Sequence, residues 1–308
     1  MLQTGQAMAS KSDQSSGLIR VGTASWTERT LIESGSFYPR NATTAEGRLR
    51  FYAGHFDTVE VDSTYYAMPS ERNATLWAER TPRGFIFHIK AYSMLTGHPT
   101  LVKSIPQVLR GELPAEILKK QKARDFPKEI VEAAFDMFSS VVRPLKETGK
   151  LGCLVFQFPP WFVPSRPAYC WLELVREKLP GYHLAVEFRN RRWLTAPERE
   201  RCARFLKDYA FSYVIVDAPW IRGWEGPIEV PAPVVYVRLH GRNRENWFKK
   251  GIETVERYRY LYKEDELGRW ADKIKQAARK SEQTFVILNN CYQNYGIRNA
   301  KMLQRLLQ

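Results

Sequence analysis

Three pairs of residues in this 308-residue chain are candidates for chemistry: Glu60 with Asp62, Glu187 with Arg189, and Arg238 with His240. Each pair closes a short apolar run, and its members stand two apart, so in an extended chain both point to the same side. A carboxylate grouped with guanidinium and imidazole is equipment for moving protons at a bound anion. Glu187, His240 and Glu60 are therefore the candidate general acids and bases. Burial would raise the pKa of Glu187 and Arg189 would lower it, and the residue types alone leave that balance open. Lys90, Arg189 and Arg238 can hold an anion, arginine through a planar fork and lysine as a point charge. A desolvated Lys90 would also be an amine nucleophile. Gln157, Asn289 and Asn290 can orient a polar ligand by hydrogen bonds. Asp62, Asp217 and Tyr65 complete the expected binding set.

Metal chemistry is the disfavoured alternative. Glu60, Glu187, Asp217 and His240 are suitable ligand types for a divalent ion, but the five histidines form no H-x-H or H-x-x-x-H cluster. Neighbouring lysine and arginine would also compete with a cation, so no metal or other cofactor is expected. A purely structural alternative is a ring of salt bridges closing the end of a fold. That would be an inefficient way to gain stability, because desolvating ions is costly. Trp26, Tyr65, Tyr66, Trp161 and Trp247 also follow apolar runs, where aromatic faces can pack or can stack on a sugar or base.

The runs that carry these groups are short and rich in β-branched and aromatic residues, as suits strands buried on both faces. They predict strands at 19–24, 58–61, 85–90, 153–157, 183–187, 212–216, 234–239 and 284–288. Helices are expected from Thr43 or Thr44 to about residue 55, with the threonine as cap, and at 70–80, 128–146, 196–209, 264–280 and 299–307. The stretch from residue 25 to Pro39 reads as loop. A helical excursion occupies 94–150, after strand three, and the connection from Asp217 to Pro233 is too broken by proline for a regular helix. Eight strands alternating with helices predict an α/β fold: one (β/α)8 TIM-barrel-like domain over 18–308, preceded by a disordered leader at 1–17. Such a barrel builds its site at the C-terminal ends of its strands, where the polar residues stand. No glycine fingerprint follows any strand, which argues against a dinucleotide site or a P-loop.

Lysine plus arginine number 47 against 33 acids, a net charge of +14. This balance favours anionic partners: a phosphate-bearing small molecule, or nucleic acid through the basic cluster Lys119, Lys120, Lys122, Arg124 and Lys128. Cys153, Cys170, Cys202 and Cys291 form no C-x-x-C pair and read as free thiols. The first residues lack the apolar core of a secretory signal, and no apolar run approaches the ~18 residues of a membrane span. The expected location is cytoplasmic, with no membrane partner.

The same segments carry a resemblance. Val21-Gly22-Thr23, Val59-Glu60-Val61-Asp62-Ser63-Thr64-Tyr65-Tyr66, Phe85 to Lys90, Phe156-Gln157-Phe158-Pro159-Pro160, Val186-Glu187-Phe188-Arg189, Val237-Arg238-Leu239-His240-Gly241 and Asn289-Asn290 with Asn299-Ala300 are similar to motifs of the YecE-like family, a domain of unknown function (number 72). The resemblance runs from about Leu18 to the end. It implies a TIM barrel with these residues at its C-terminal mouth, and no established activity. Two departures stand out. Members usually show a Thr-His pair after the lysine, whereas Leu95-Thr96-Gly97-His98 sets the histidine one residue later; and the usual Phe-Asn-Asn is Leu288-Asn289-Asn290.

Three functional classes follow. The first is a metal-free hydrolase, lyase or isomerase acting on an anionic substrate. The second is a nucleic-acid-binding or nucleic-acid-processing protein. The third is a barrel that binds a ligand without turnover.

Overall fold

Alternation along each apolar run sends one set of side chains outward, against helices, and the other inward, towards a common axis. In the computed structural model, which describes residues 17–221 and 233–308, that axis is the centre of a closed parallel barrel. Its strands are β1 (Leu18–Ala24), β2 (Thr58–Val61), β3 (Ile86–Lys90), β4 (Leu151–Phe158), β5 (His183–Phe188), β6 (Phe211–Asp217), β7 (Val234–Leu239) and β8 (Gln283–Leu288). Each strand pairs with its neighbours in chain order, and β8 closes onto β1. The longer helices are α1 (Ala45–Ala53), α2 (Glu71–Glu79), α3 (Lys128–Glu147), α4 (Arg166–Lys178), α5 (Glu198–Asp208), α6 (Glu264–Ala278) and α7 (Tyr295–Leu307). The expected caps are in place: Thr44 accepts from the Gly47 N–H and Ser70 from the Asn73 N–H, which satisfies amides that have no partner within the helix.

Two apolar layers result. Outward residues such as Val59, Phe87, Phe156, Val186, Val237 and Leu288 join the helices in the larger core. Inward residues such as Ala24, Cys153, Val155, Ala185, Val214 and Phe285 form a smaller core inside the barrel. His88 plugs this inner core. Its ring lies edge-on to Phe285 at 4.3 Å and to Tyr236 at 4.8 Å, and its Nδ1 accepts from the Cys153 N–H at 2.9 Å. Gly152 makes room for it, since a Cβ there would lie 2.4 Å from the imidazole.

Some elements differ from expectation. The stretch after β1 holds a short helix, Arg29–Glu33, capped by the Glu28 carboxylate. The excursion after β3 contains short helices at Gln107–Gly111 and Ala115–Leu118 and an antiparallel ribbon of Thr100–Leu101 with Lys122–Ala123. Two-residue strands are too short to leave an alternating pattern. Helix α7 starts at Tyr295, a turn before the expected 299. The expected leader, save Gly17, and most of the irregular β6–β7 connection lie outside the described residues. Among the described residues no helix is long and apolar enough to cross a membrane.

The His88 plug has a consequence for acid stability. Burial lowers its pKa from 6.5 to about 3 in the folded chain. The folded state therefore refuses a proton that the unfolded chain accepts. The resulting stability is complete above 6.5 and is lost as pH falls from there towards about 3. We expect His88→Gln, which keeps an acceptor for the Cys153 amide, to flatten the fall in unfolding free energy across this range by up to about 1.4 kcal/mol per pH unit. Urea unfolding at a series of pH values measures it. Parallel wild-type and variant curves below pH 6 would remove His88 as the cause.

Candidate active site at the C-terminal mouth of the barrel

Above the His88 plug the inward positions become polar. Parity along each strand selects them: Glu60 and Asp62 on β2, Lys90 on β3, Gln157 on β4, Glu187 and then Arg189 on β5, Tyr236, Arg238 and then His240 on β7, and Asn289 after β8. Arg238 stands at the centre, wholly buried. Its Nη2 donates to Glu60 Oε1 at 2.7 Å, while Nη1 pairs with Glu187 Oε2 and lies 3.2 Å from Gln157 Oε1. Tyr236 donates to the other Glu60 oxygen at 2.9 Å. The second Glu187 oxygen pairs with Arg189 Nε and faces His240 Nε2 at 3.5 Å. With the Asn289 amide donating to His240 Nδ1 at 2.7 Å, the ring proton belongs on Nε2, facing the carboxylate.

This arrangement fixes the charges of the floor. Burial pushes the Glu187 pKa up, but Arg189, Arg238 and His240 outweigh it and hold the carboxyl well below its usual range. Burial opposes the Arg238 charge, and Glu60 and Glu187 more than offset that. His240 is lowered to about 3 by burial, against the opposite pull of Glu187, and is neutral at physiological pH. Glu187, Arg238 and His240 are thus fully buried and held in fixed protonation states. Gly241, at φ +89°, turns the chain away directly after the histidine, and a Cβ there would meet Tyr260 at 2.7 Å.

The groups that ligand can reach lie one level higher. Lys90 is partly exposed, with Nζ 4.6 Å from the centre of the Tyr65 ring. Among the described residues it has no ion-pair partner. Burial, reinforced by Arg238, lowers its pKa to about 8 against the pull of Glu60 and Asp62. Asp62 is also partly exposed, and burial raises its pKa against Lys90 and Arg238. Arg189 gives Nη2 to Gln157 Oε1 at 2.8 Å and lays its guanidinium 4.1 Å from the Trp220 ring. Its Nη1 has no partner among the described residues.

Two expected binding residues are turned away from the mouth, both by parity. Val214 and Val216 face inward on β6, so Asp217 faces outward. There it takes Arg242 Nε at 2.8 Å and Trp270 Nε1 at 3.0 Å. Asn290 follows an inward Asn289 and likewise points out, donating to Tyr260 O and Asn299 Oδ1, each at 2.8 Å. Both residues anchor the loop after β7. Trp26 is buried in the outer core beside Trp77 and Phe87.

Other residues join the mouth without having been singled out for it. Tyr236 is the inward residue two before Arg238, a position that the same alternation marks. Trp220 arrives on a loop, with no pattern to reveal it. His98, displaced in sequence, still reaches the rim: its ring meets Tyr65 at 5.2 Å and Trp161 at 5.8 Å. Burial lowers its pKa to about 4. Among the described residues no three of His, Cys, Asp and Glu converge as a metal site. The Glu60 and Glu187 oxygens are instead directed at arginine, tyrosine and histidine.

A closed eight-stranded parallel barrel with a polar cluster at its C-terminal mouth makes this a TIM-barrel protein. Within that class the chain belongs to the family described as "Protein of unknown function DUF72", whose model matches residues 20–308. It is 30% identical over 297 residues to the UPF0759 protein YunF of Bacillus subtilis (strain 168), covering 94% of this chain and 95% of that one. Among solved structures it is similar to a DUF72 family protein of Thermotoga maritima MSB8 (30% identity, TM-score 0.73, 94% and 99% of the two chains covered). It is also similar to one from Enterococcus faecalis V583 (26% identity, TM-score 0.75, 94% and 95% covered).

The floor makes a quantitative demand on Arg238. Removing it leaves two carboxylates buried and uncompensated, so Arg238→Ala is expected to lower the unfolding free energy by about 3–5 kcal/mol. Adding Glu60→Gln and Glu187→Gln should restore much of that loss. Urea unfolding of the wild type, Arg238→Ala and the triple variant measures both effects. A loss below about 1 kcal/mol for Arg238→Ala would show that the carboxylates had found other partners.

Proposed function

We propose that this barrel is an enzyme acting on an anionic, phosphate-bearing substrate by acid–base chemistry at its C-terminal mouth. One observation carries the reading. The two reachable titratable groups, Asp62 and Lys90, sit at the ends of adjacent strands with pKa values displaced towards neutrality from opposite directions. A lysine lowered to about 8 beside a carboxyl raised by the same burial is the kind of pairing that acid–base sites use.

The roles divide by depth. Protonated Lys90 and Arg189 Nη1, which has no partner among the described residues, receive the anion. Asp62 takes or returns the proton, and Asn289 and Gln157 hold their neighbours in register. Glu187 and His240, fixed in charge, act as positioning residues: the carboxylate aims Arg189, and the neutral imidazole backs the carboxylate. Arg238 serves the floor and does not touch the substrate. Hydrolase, lyase and isomerase reactions all use such a set. The exposed cluster from Lys119 to Lys128 supports a second reading, a nucleic-acid partner, with a distinct signature: its affinity falls steeply and linearly in log salt.

Calorimetry against a panel of phosphorylated metabolites tests the first reading. Affinity for a binding member is expected to fall as pH rises through about 8, because the lysine loses its charge there. Lys90→Ala should weaken binding by roughly tenfold to a hundredfold, as for a charge-assisted hydrogen bond, and Lys90→Arg should carry binding to higher pH. Asp62→Asn should retain binding and abolish turnover. If Lys90→Ala and Asp62→Asn both leave binding and activity intact, the mouth is structural and the proposal fails.

A further inference from the structure

Beside the mouth, over the ends of β5, β6 and β7, lies a cleft of about 640 Å³ lined by Arg189, Asn190, Arg191, Pro219, Trp220, Arg244 and Phe248. That volume suits a ligand larger than a phosphate ion. Its chemistry is one-sided. Among the described residues three arginines line it and no carboxylate does. Arg191 and Arg244 have no ion-pair partner among the described residues. The amide of Asn190 is held by the backbone at both ends: Nδ2 donates to Pro160 O at 2.6 Å, and Oδ1 accepts from the Arg192 N–H at 2.9 Å. The Trp220 indole N–H is buried with no acceptor among the described residues. Phe248 is 69% exposed and serves no core.

Among the described residues the cleft therefore offers mainly cationic donors and flat faces. A ligand that fits is rich in acceptors, carries a flat ring and is anionic at one end. We propose that the cleft is a specificity subsite for a nucleoside phosphate. The base would lie against Phe248 and the planar guanidinium groups of Arg191 and Arg244. Its phosphate would lie at Arg189, the residue shared with the mouth. Arginine suits this double task because its plane stacks on rings and its fork matches phosphate. The inference deepens the proposed function and rests on it, since it places the phosphate at the mouth and the rest of the substrate in the cleft. The nucleoside phosphate can be free or the 5′-phosphorylated end of an oligonucleotide, and both share this chemistry.

Calorimetry with AMP, ribose 5-phosphate, inorganic phosphate and a 5′-phosphorylated trinucleotide tests it. AMP or the trinucleotide should bind about tenfold or more tighter than ribose 5-phosphate, as expected for one stacked base. Whichever of the two binds tighter identifies the source. Phe248→Ala, an exposed position that cannot unfold the core, should erase that advantage and leave ribose 5-phosphate binding unchanged. Arg244→Ala should reduce the advantage in the same direction. Equal affinity for AMP, the trinucleotide and ribose 5-phosphate overturns the inference, as does an advantage that survives Phe248→Ala, or no binding by any of the four. Ribose 5-phosphate binding that needs Lys90, with no preference for a base, would leave the mouth reading standing and remove this one. A base preference that needs Phe248 but is indifferent to Lys90→Ala would do the reverse.

Discussion

A guanidinium in the middle of a barrel is an expensive group to hold, and the upper half of this molecule is organised around holding one. Arg238 enters from β7 and meets Glu60 from β2 and Glu187 from β5, so three strands that are not neighbours are tied through one side chain. Because each carboxylate has two oxygens, the tie propagates. Glu60 uses its second oxygen on Tyr236, and Glu187 uses its second on Arg189 and faces His240. Among the groups at the mouth, Arg189 takes its orientation from that arrangement through Glu187 and Gln157. Such a network fixes geometry more than it adds stability, since the cost of desolvating its ions offsets most of their mutual attraction.

The layering also separates two electrostatic tasks that share a small volume. Below, charges of opposite sign are matched, so protonation states are locked. Above, Lys90 and Asp62 feel the same burial without comparable pairing, and both drift towards neutrality. A group is made responsive here by being denied a partner. The change of pairing with depth adds to the intrinsic difference between the lysine amine and the arginine guanidinium.

Most of the barrel is legible in the chain because strands buried on both faces announce themselves as apolar runs, and the polar ends of those runs mark the mouth. Parity is the finer rule, and it sorts residues that proximity in sequence does not. Asp217 and Asn290 stand beside inward positions and so turn outward to Arg242, Trp270 and Asn299, while Tyr236, two before Arg238, turns in. Alternation could have made each of these assignments. Contributions from loops follow no such rule. Trp220 and His98 reach the site by the path of irregular backbone, which no period describes, and the ribbon of Thr100–Leu101 with Lys122–Ala123 is too short to register as strand. The protonation states lay outside the chain's legibility as well, because the balance of burial against Arg189 at Glu187 depends on distances.

The histidine plug has a bearing on traffic. With His88, Tyr236 and Phe285 packed together inside the barrel and the Arg238 network above them, the described side chains close the barrel beneath its mouth. On the proposed reading, a ligand would enter and leave past the same aromatic rim of Tyr65 and Trp220, and a molecule lodged there would block both directions at once.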